Sequence, residues 1–137
     1  MNHYSMDELE IGKEERFTVC ITEDMQKTFM ELTGDDNPMH LDVEYAKENG
    51  FPRNIVYGML TASFYSTLAG VYLPGERCLL LECNAAFKKP VYIGDKLTIV
   101  GQIREKDERL GRITIKAYII NQDGIKVSRA TVIAGVR

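Results

Sequence analysis

The most constraining feature of this chain is a stretch of twenty-two residues, Asn54 to Gly75, without a single charge. That length is sufficient in principle for a helix to cross a bilayer. The segment nevertheless carries Asn54, Tyr57, Thr61, Ser63, Tyr65, Ser66, Thr67 and Tyr72, far too much hydrogen-bonding material for lipid. A helix apolar nearly all round can instead be one that the rest of a globular protein wraps. Its expected extent is Tyr57 to Tyr72, stopped by Pro74-Gly75.

The remainder of the chain supplies a wrapper. Ile113, Ile115, Ala117 and Ile119 alternate with Arg112, Thr114, Lys116 and Tyr118, the period of a half-buried strand. Leu97, Ile99, Gly101 and Ile103 share a face in the same way, as do Leu81, Cys83, Ala85 and Phe87. The last segment sets Ile125 and Val127 on one face and then changes phase to Ala130, Val132 and Ala134, which predicts a bulge or strong bend. Gly94-Asp95, the polar stretch from Glu105 to Gly111, and the turn signal Asp123-Gly124 make short connections, so the pairing should be antiparallel. A further strand is expected at Arg16 to Ile21.

Helical sequence separates that first strand from the others. Thr22 suits an N-cap and Gly34 a left-handed C-terminal position, with Met25, Phe29 and Leu32 as the apolar stripe between them. Asp42 should cap a short helix over Val43 to Asn49. One charge-free helix and about five antiparallel strands require a curved sheet, since a flat one covers a single side. This is the α+β arrangement of the hot-dog fold, and residues 1–137 read as one domain without repeat or linker.

Composition narrows the function. A net charge of -3 gives no reason to expect a nucleic-acid partner. Cys20, Cys78 and Cys83 lack metal-site spacing and lie among apolar neighbours, which predicts buried reduced thiols and a cytoplasmic protein. Met1 to Glu10 lacks the basic-then-apolar order of a signal peptide.

The chemistry is concentrated in Phe29 to His40, FMELTGDDNPMH. A helix ending at Gly34 should be followed by a stiff loop, because Pro38 fixes its own φ and biases Asn37 away from helix. Such a loop brings the Asp35 carboxylate and the His40 imidazole to one small site, where an activated water can attack an electrophile. As composition alone the stretch also suits an ordinary polar turn. A metal site is not expected: His40 is the only histidine nearby, and nothing else completes a ligand set.

The order F-x-x-L-T-G-D-x-N-P-x-H-x5-A, met from Phe29 to Ala46, resembles the signature of MaoC-like (R)-specific enoyl-CoA hydratases. Similarity continues through Ile55 to Leu60, Ala62-Ser63, Ser66, Phe87 to Val91 and Gly94-Asp95. The resemblance implies that Asp35 and His40 are the catalytic pair and that the Gly58 N–H points at a thioester carbonyl. A free N–H at a helix start is a ready donor for such an oxygen. It also implies substrate-site roles for Asn37, for Ser66 packed against the pair, and for Tyr57. There this chain departs from the His-Gly usual in the family, which bears on the shape of the site beside the thioester. The substrate implied is an acyl-CoA or acyl carrier protein thioester, with no cofactor beyond the coenzyme A it carries, and the protein is expected to be a homodimer or higher homo-oligomer. Arg53, Lys88, Lys89 and Arg104 are candidates for CoA phosphates, although solvated charge is the commoner role. Two other functions fit parts of the pattern: a hot-dog thioesterase, which needs no Asp-x-Asn-Pro-x-His pair, and a non-catalytic acyl-thioester-binding module.

Overall fold

A computed structural model describes residues Met1–Arg137. Strand β1 (Glu14–Cys20) is followed by helices α1 (Glu23–Thr33), α2 (Pro38–Leu41), α3 (Val43–Glu48) and α4 (Gly58–Thr67). The chain continues from α4 through a π turn at Leu68–Tyr72 into β2 (Cys78–Phe87), β3 (Lys96–Asp107), β4 (Arg112–Ile120) and β5 (Lys126–Val136). The strands form one antiparallel sheet in the order β1-β3-β4-β5-β2, curved around α4 in the hot-dog arrangement.

The alternation in β3 and β4 maps onto burial. Leu97, Ile99, Ile103, Ile113, Ile115 and Ile119 are fully buried and meet Leu60, Tyr65, Leu68 and Ala69 from the helical layer. At Gly101 a Cβ would stand 2.6 Å from Leu68 Cδ2 and 3.0 Å from Ile115 Cγ2, so a side chain there would collide with the packed helix. The predicted phase change in β5 is a bulge. Ile119 pairs with Ser128 and Ile120 with Lys126, leaving Val127 unmatched, so Val127 and Ser128 are buried in succession. The inward-turned Ser128 accepts from Tyr65 Oη at 2.9 Å and donates to the Ala86 carbonyl at 2.9 Å, pinning α4 to two strands. Burial pushes the Tyr65 phenol up to about 12.

Several expectations are corrected. Strand β2 lies at the sheet edge, so its alternation does not become burial: Leu79, Leu80, Leu81 and Phe87 are 43–50% exposed. Leu81 falls in a second bulge, between the Leu80 and Glu82 pairings. Helix α4 is only partly wrapped, with Met59, Ser63 and Ser66 exposed along one stripe. Leu32 is 81% exposed, and the buried residue of α1 is the polar Gln26. Cys20 and Cys83 are exposed and Cys78 half-buried: Cys20 lies on the outward face of edge strand β1, and Cys83 lies in edge strand β2, which is exposed throughout Leu79 to Asn84. No helix is long and apolar enough to cross a membrane.

Candidate functional site

The segment around the acidic and histidine residues is built by local capping. Thr22 Oγ1 accepts the Met25 N–H at 3.2 Å to start α1, and Gly34, at φ 75°, ends it. Beyond Gly34 the chain does not stay a loop. The Asn37 side chain accepts the Met39 N–H at 2.9 Å and Pro38 occupies the first helical position, so His40 lies in the short helical turn α2. Asp35 remains outside it, its Oδ1 accepting the Asn37 N–H at 3.2 Å. Asp42 Oδ1 then accepts from the Glu44 and Tyr45 N–H groups and starts α3, as its position predicts.

His40 is oriented by the backbone. Its Nδ1 lies 2.9 Å from the Ile55 carbonyl oxygen. A carbonyl only accepts, so Nδ1 carries the proton and the neutral ring leaves Nε2 as a free acceptor. The ring sits against Tyr57, with centroids 4.1 Å apart, and Tyr57 in turn meets Phe29 at 4.8 Å.

Tyr57 is 2% exposed and its hydroxyl donates to the Asp35 carbonyl. The hydroxyl is therefore committed to the chain between Asp35 and His40, which it braces, while Tyr57 also lines a cavity shared with Asp35, His40 and Gly58. Burial, and secondarily the Asp35 and Asp36 carboxylates, push its phenol above the ordinary value.

Gly58 is the first residue of α4, whose N-cap Tyr57 makes no side-chain capping bond. The first intrahelical bond nearby runs from Thr61 N to Tyr57 O, so the Gly58 N–H has no acceptor within the helix.

Two cavities meet at His40, Gly58 and the Phe87 ring. One, of about 510 Å³, adds Phe29, Thr33, Asp35, Tyr57 and Met59. The other, of about 300 Å³, is a slot with Phe51, Ile55, Val56, Val91 and Val127, and Lys88 and Lys89 on its wall. His40, Asp35 and Gly58, whose N–H is uncapped, thus line a shared space. Arg104 is not part of it, lying in a larger concavity of about 640 Å³ on the outer face of the sheet that contains no histidine. Ser66 lines neither cavity and stands exposed further along α4, so within one chain it does not pack against the pair. The Asn37 side-chain oxygen is used as a cap. Nowhere do three His, Cys, Asp or Glu side chains converge as a metal site would require.

A residue missed at the sequence level is Gln26, which bonds the backbone beneath His40. A polar residue among the apolar positions of α1 was the only available signal.

A curved sheet around a helix, with a carboxylate, an imidazole and a free helix-start N–H at one cleft, defines a class of hot-dog proteins equipped to polarise a carbonyl and activate water. The chain belongs to the family of MaoC like domains, whose family model matches residues 8–123. It is 35% identical over 120 residues to the (R)-specific enoyl-CoA hydratase of Aeromonas caviae, covering 88% of this chain and 90% of that one. The solved (R)-hydratase from A. caviae involved in PHA biosynthesis superposes with a TM-score of 0.89 at 32% identity, over 94% and 98% of the two chains. R-hydratase PhaJ1 from Pseudomonas aeruginosa, in its unliganded form, gives 0.89 at 30% identity, over 96% and 84%.

Proposed function

We propose that this protein is an (R)-specific enoyl-CoA hydratase, a hydro-lyase that adds water to trans-2-enoyl thioesters and catalyses the reverse dehydration. The observation that carries this reading is His40: its Nδ1–H is held by the Ile55 carbonyl, so Nε2 is free to take a proton in the cavity that also holds Asp35 and the Gly58 N–H.

The thioester carbonyl accepts the Gly58 N–H, which draws electron density from C3. Asp35 and His40 hold a water between them, and Nε2 takes its proton as the oxygen bonds to C3. The electron pair of the double bond moves toward C1 and builds an enolate on the carbonyl oxygen, where the N–H stabilises it. His40 then returns the proton to C2, so the net change is addition of one water with no oxidant or cofactor. Coenzyme A enters as part of the substrate, and the three free cysteines suit the reducing cytoplasm.

The test uses purified protein and a chain-length series of enoyl-CoAs. Loss of enoyl absorbance without thiol release is expected; thiol release instead would identify a thioesterase. Asp35 and His40 reach the substrate from one side of the cleft, so water and proton arrive on the same face, a syn addition. The expected product is the (3R)-hydroxyacyl thioester. Rapid NADH formation by a coupled (S)-specific 3-hydroxyacyl-CoA dehydrogenase would overturn that assignment.

A homodimer completes the reading. Edge strand β2 offers unpaired backbone groups together with Leu79, Leu80 and Leu81, and α4 presents Met59, Ser63 and Ser66 uncovered. A second copy would cover both. Light scattering at micromolar concentration should give twice the 15.5 kDa chain mass, and Leu80→Lys should shift it toward monomer. A wild-type monomer would refute the dimer.

A further inference from the structure

Gln26 is 4% exposed on a helix whose other core-facing residues are apolar. A buried amide is tolerated when its donors and acceptor are used. Here Nε2 donates to the His40 carbonyl at 3.0 Å and to the Ile55 carbonyl at 3.0 Å, while Oε1 accepts the Tyr57 N–H at 3.3 Å. These partners have a common property. The Ile55 carbonyl also receives His40 Nδ1, and Tyr57 is the residue before Gly58. One side chain therefore grips the backbone of the base, the acceptor that orients its ring, and the amide preceding the carbonyl-polarising N–H.

We propose that Gln26 is a positioning residue of the hydration site: it holds the Ile55 carbonyl where it fixes the His40 tautomer, and it sets the spacing between His40 Nε2 and the Gly58 N–H. This deepens, and rests on, the hydratase reading. Neighbouring bonds keep the fold without it. Asn54 Nδ2 still donates to the His40 carbonyl at 2.8 Å, and the Ile55 and Val56 N–H groups still donate to the Met39 and Val91 carbonyls at 3.1 and 2.8 Å. Loss of Gln26 should thus loosen geometry more than it unfolds the chain. Misplacement on the scale of 1 Å costs up to about 10²-fold in rate.

Gln26→Met keeps length and volume but has no amide. In the full-length protein it should lower kcat about tenfold while KM stays within about twofold, the pattern of impaired chemistry rather than impaired binding. Gln26→Glu keeps the acceptor for Tyr57 but has at most one proton for two carbonyls. Its kcat deficit should be smaller at low pH and widen as the carboxyl ionises, a profile that a purely packing role would not produce.

An independent readout uses no substrate. With His3→Gln as background, the ring ¹⁵N shifts of His40 should report Nδ1–H in the wild type and a mixture of tautomers in Gln26→Met. Should the wild type hydrate no enoyl-CoA, the reaction assignment fails while the tautomer shift still decides the role of Gln26. A folded Gln26→Met with wild-type kcat, or with an unchanged tautomer, overturns the proposal. If Gln26→Met does not fold, a flat relative pH profile for Gln26→Glu does so.

Discussion

His40→Ala is expected to lower kcat for crotonyl-CoA hydration by about 10³-fold, within the 10²–10⁴ range of a positioned acid–base group. The variant removes the free Nε2, which in the proposed mechanism is both the acceptor for the water proton and the donor to C2. Folding should survive, because the Ile55 carbonyl keeps the Gln26 bond and the rest of α2 is capped by Asn37. Asp35→Asn should cost about 10²-fold or more. Its side-chain oxygen can still accept the Asn37 N–H, so the turn persists while the negative charge proposed to orient the water is gone. Asp35 is exposed, and replacing it should scarcely change stability. The double variant should be no worse than the poorer single one, because the residues act as a unit. Steady-state kinetics with a thermal melt on each variant checks this; turnover within tenfold of wild type in either would remove the pair from the mechanism.

Gly58→Pro is expected to lower kcat by roughly 10²–10³-fold, the usual cost of deleting one oxyanion donor. The site is unusually suited to the test. Position 58 begins α4, where proline is well tolerated, and Tyr57 before it already has ψ 126°, a value a pre-proline residue prefers. The substitution therefore deletes the N–H with little disturbance of the helix. Gly58→Ala is the control: it keeps the N–H and adds a Cβ 3.4 Å from the half-exposed Phe87 ring, which can yield. Alanine should cost less than tenfold. Equal losses in the two variants would assign Gly58 to packing and not to the carbonyl.

The parts of this protein that rest on local rules were legible in the amino-acid order. Thr22, Asp42 and Gly34 cap helices because capping needs only a side chain and the adjacent backbone. The alternation in β3 and β4 became burial because those strands lie inside the sheet, and the phase change in β5 became the Val127 bulge. The motif from Phe29 to His40 marked Asp35 and His40 by their order, and both line one cavity.

Tertiary structure decided the rest. The same alternation in β2 is only half-buried, since sheet order, which depends on distant pairing, places it at an edge. The helical turn at His40 arises when Asn37 turns its oxygen onto the Met39 N–H, an option in competition with an open loop. The direction of the Tyr57 hydroxyl and the three bonds of Gln26 join segments up to 31 residues apart, and no local pattern encodes them. Residue types and their order determine which groups are available for chemistry. Only the packing of α1 against the chain before α4 determines which nitrogen of His40 is left free, because that depends on where a single carbonyl, Ile55, is held.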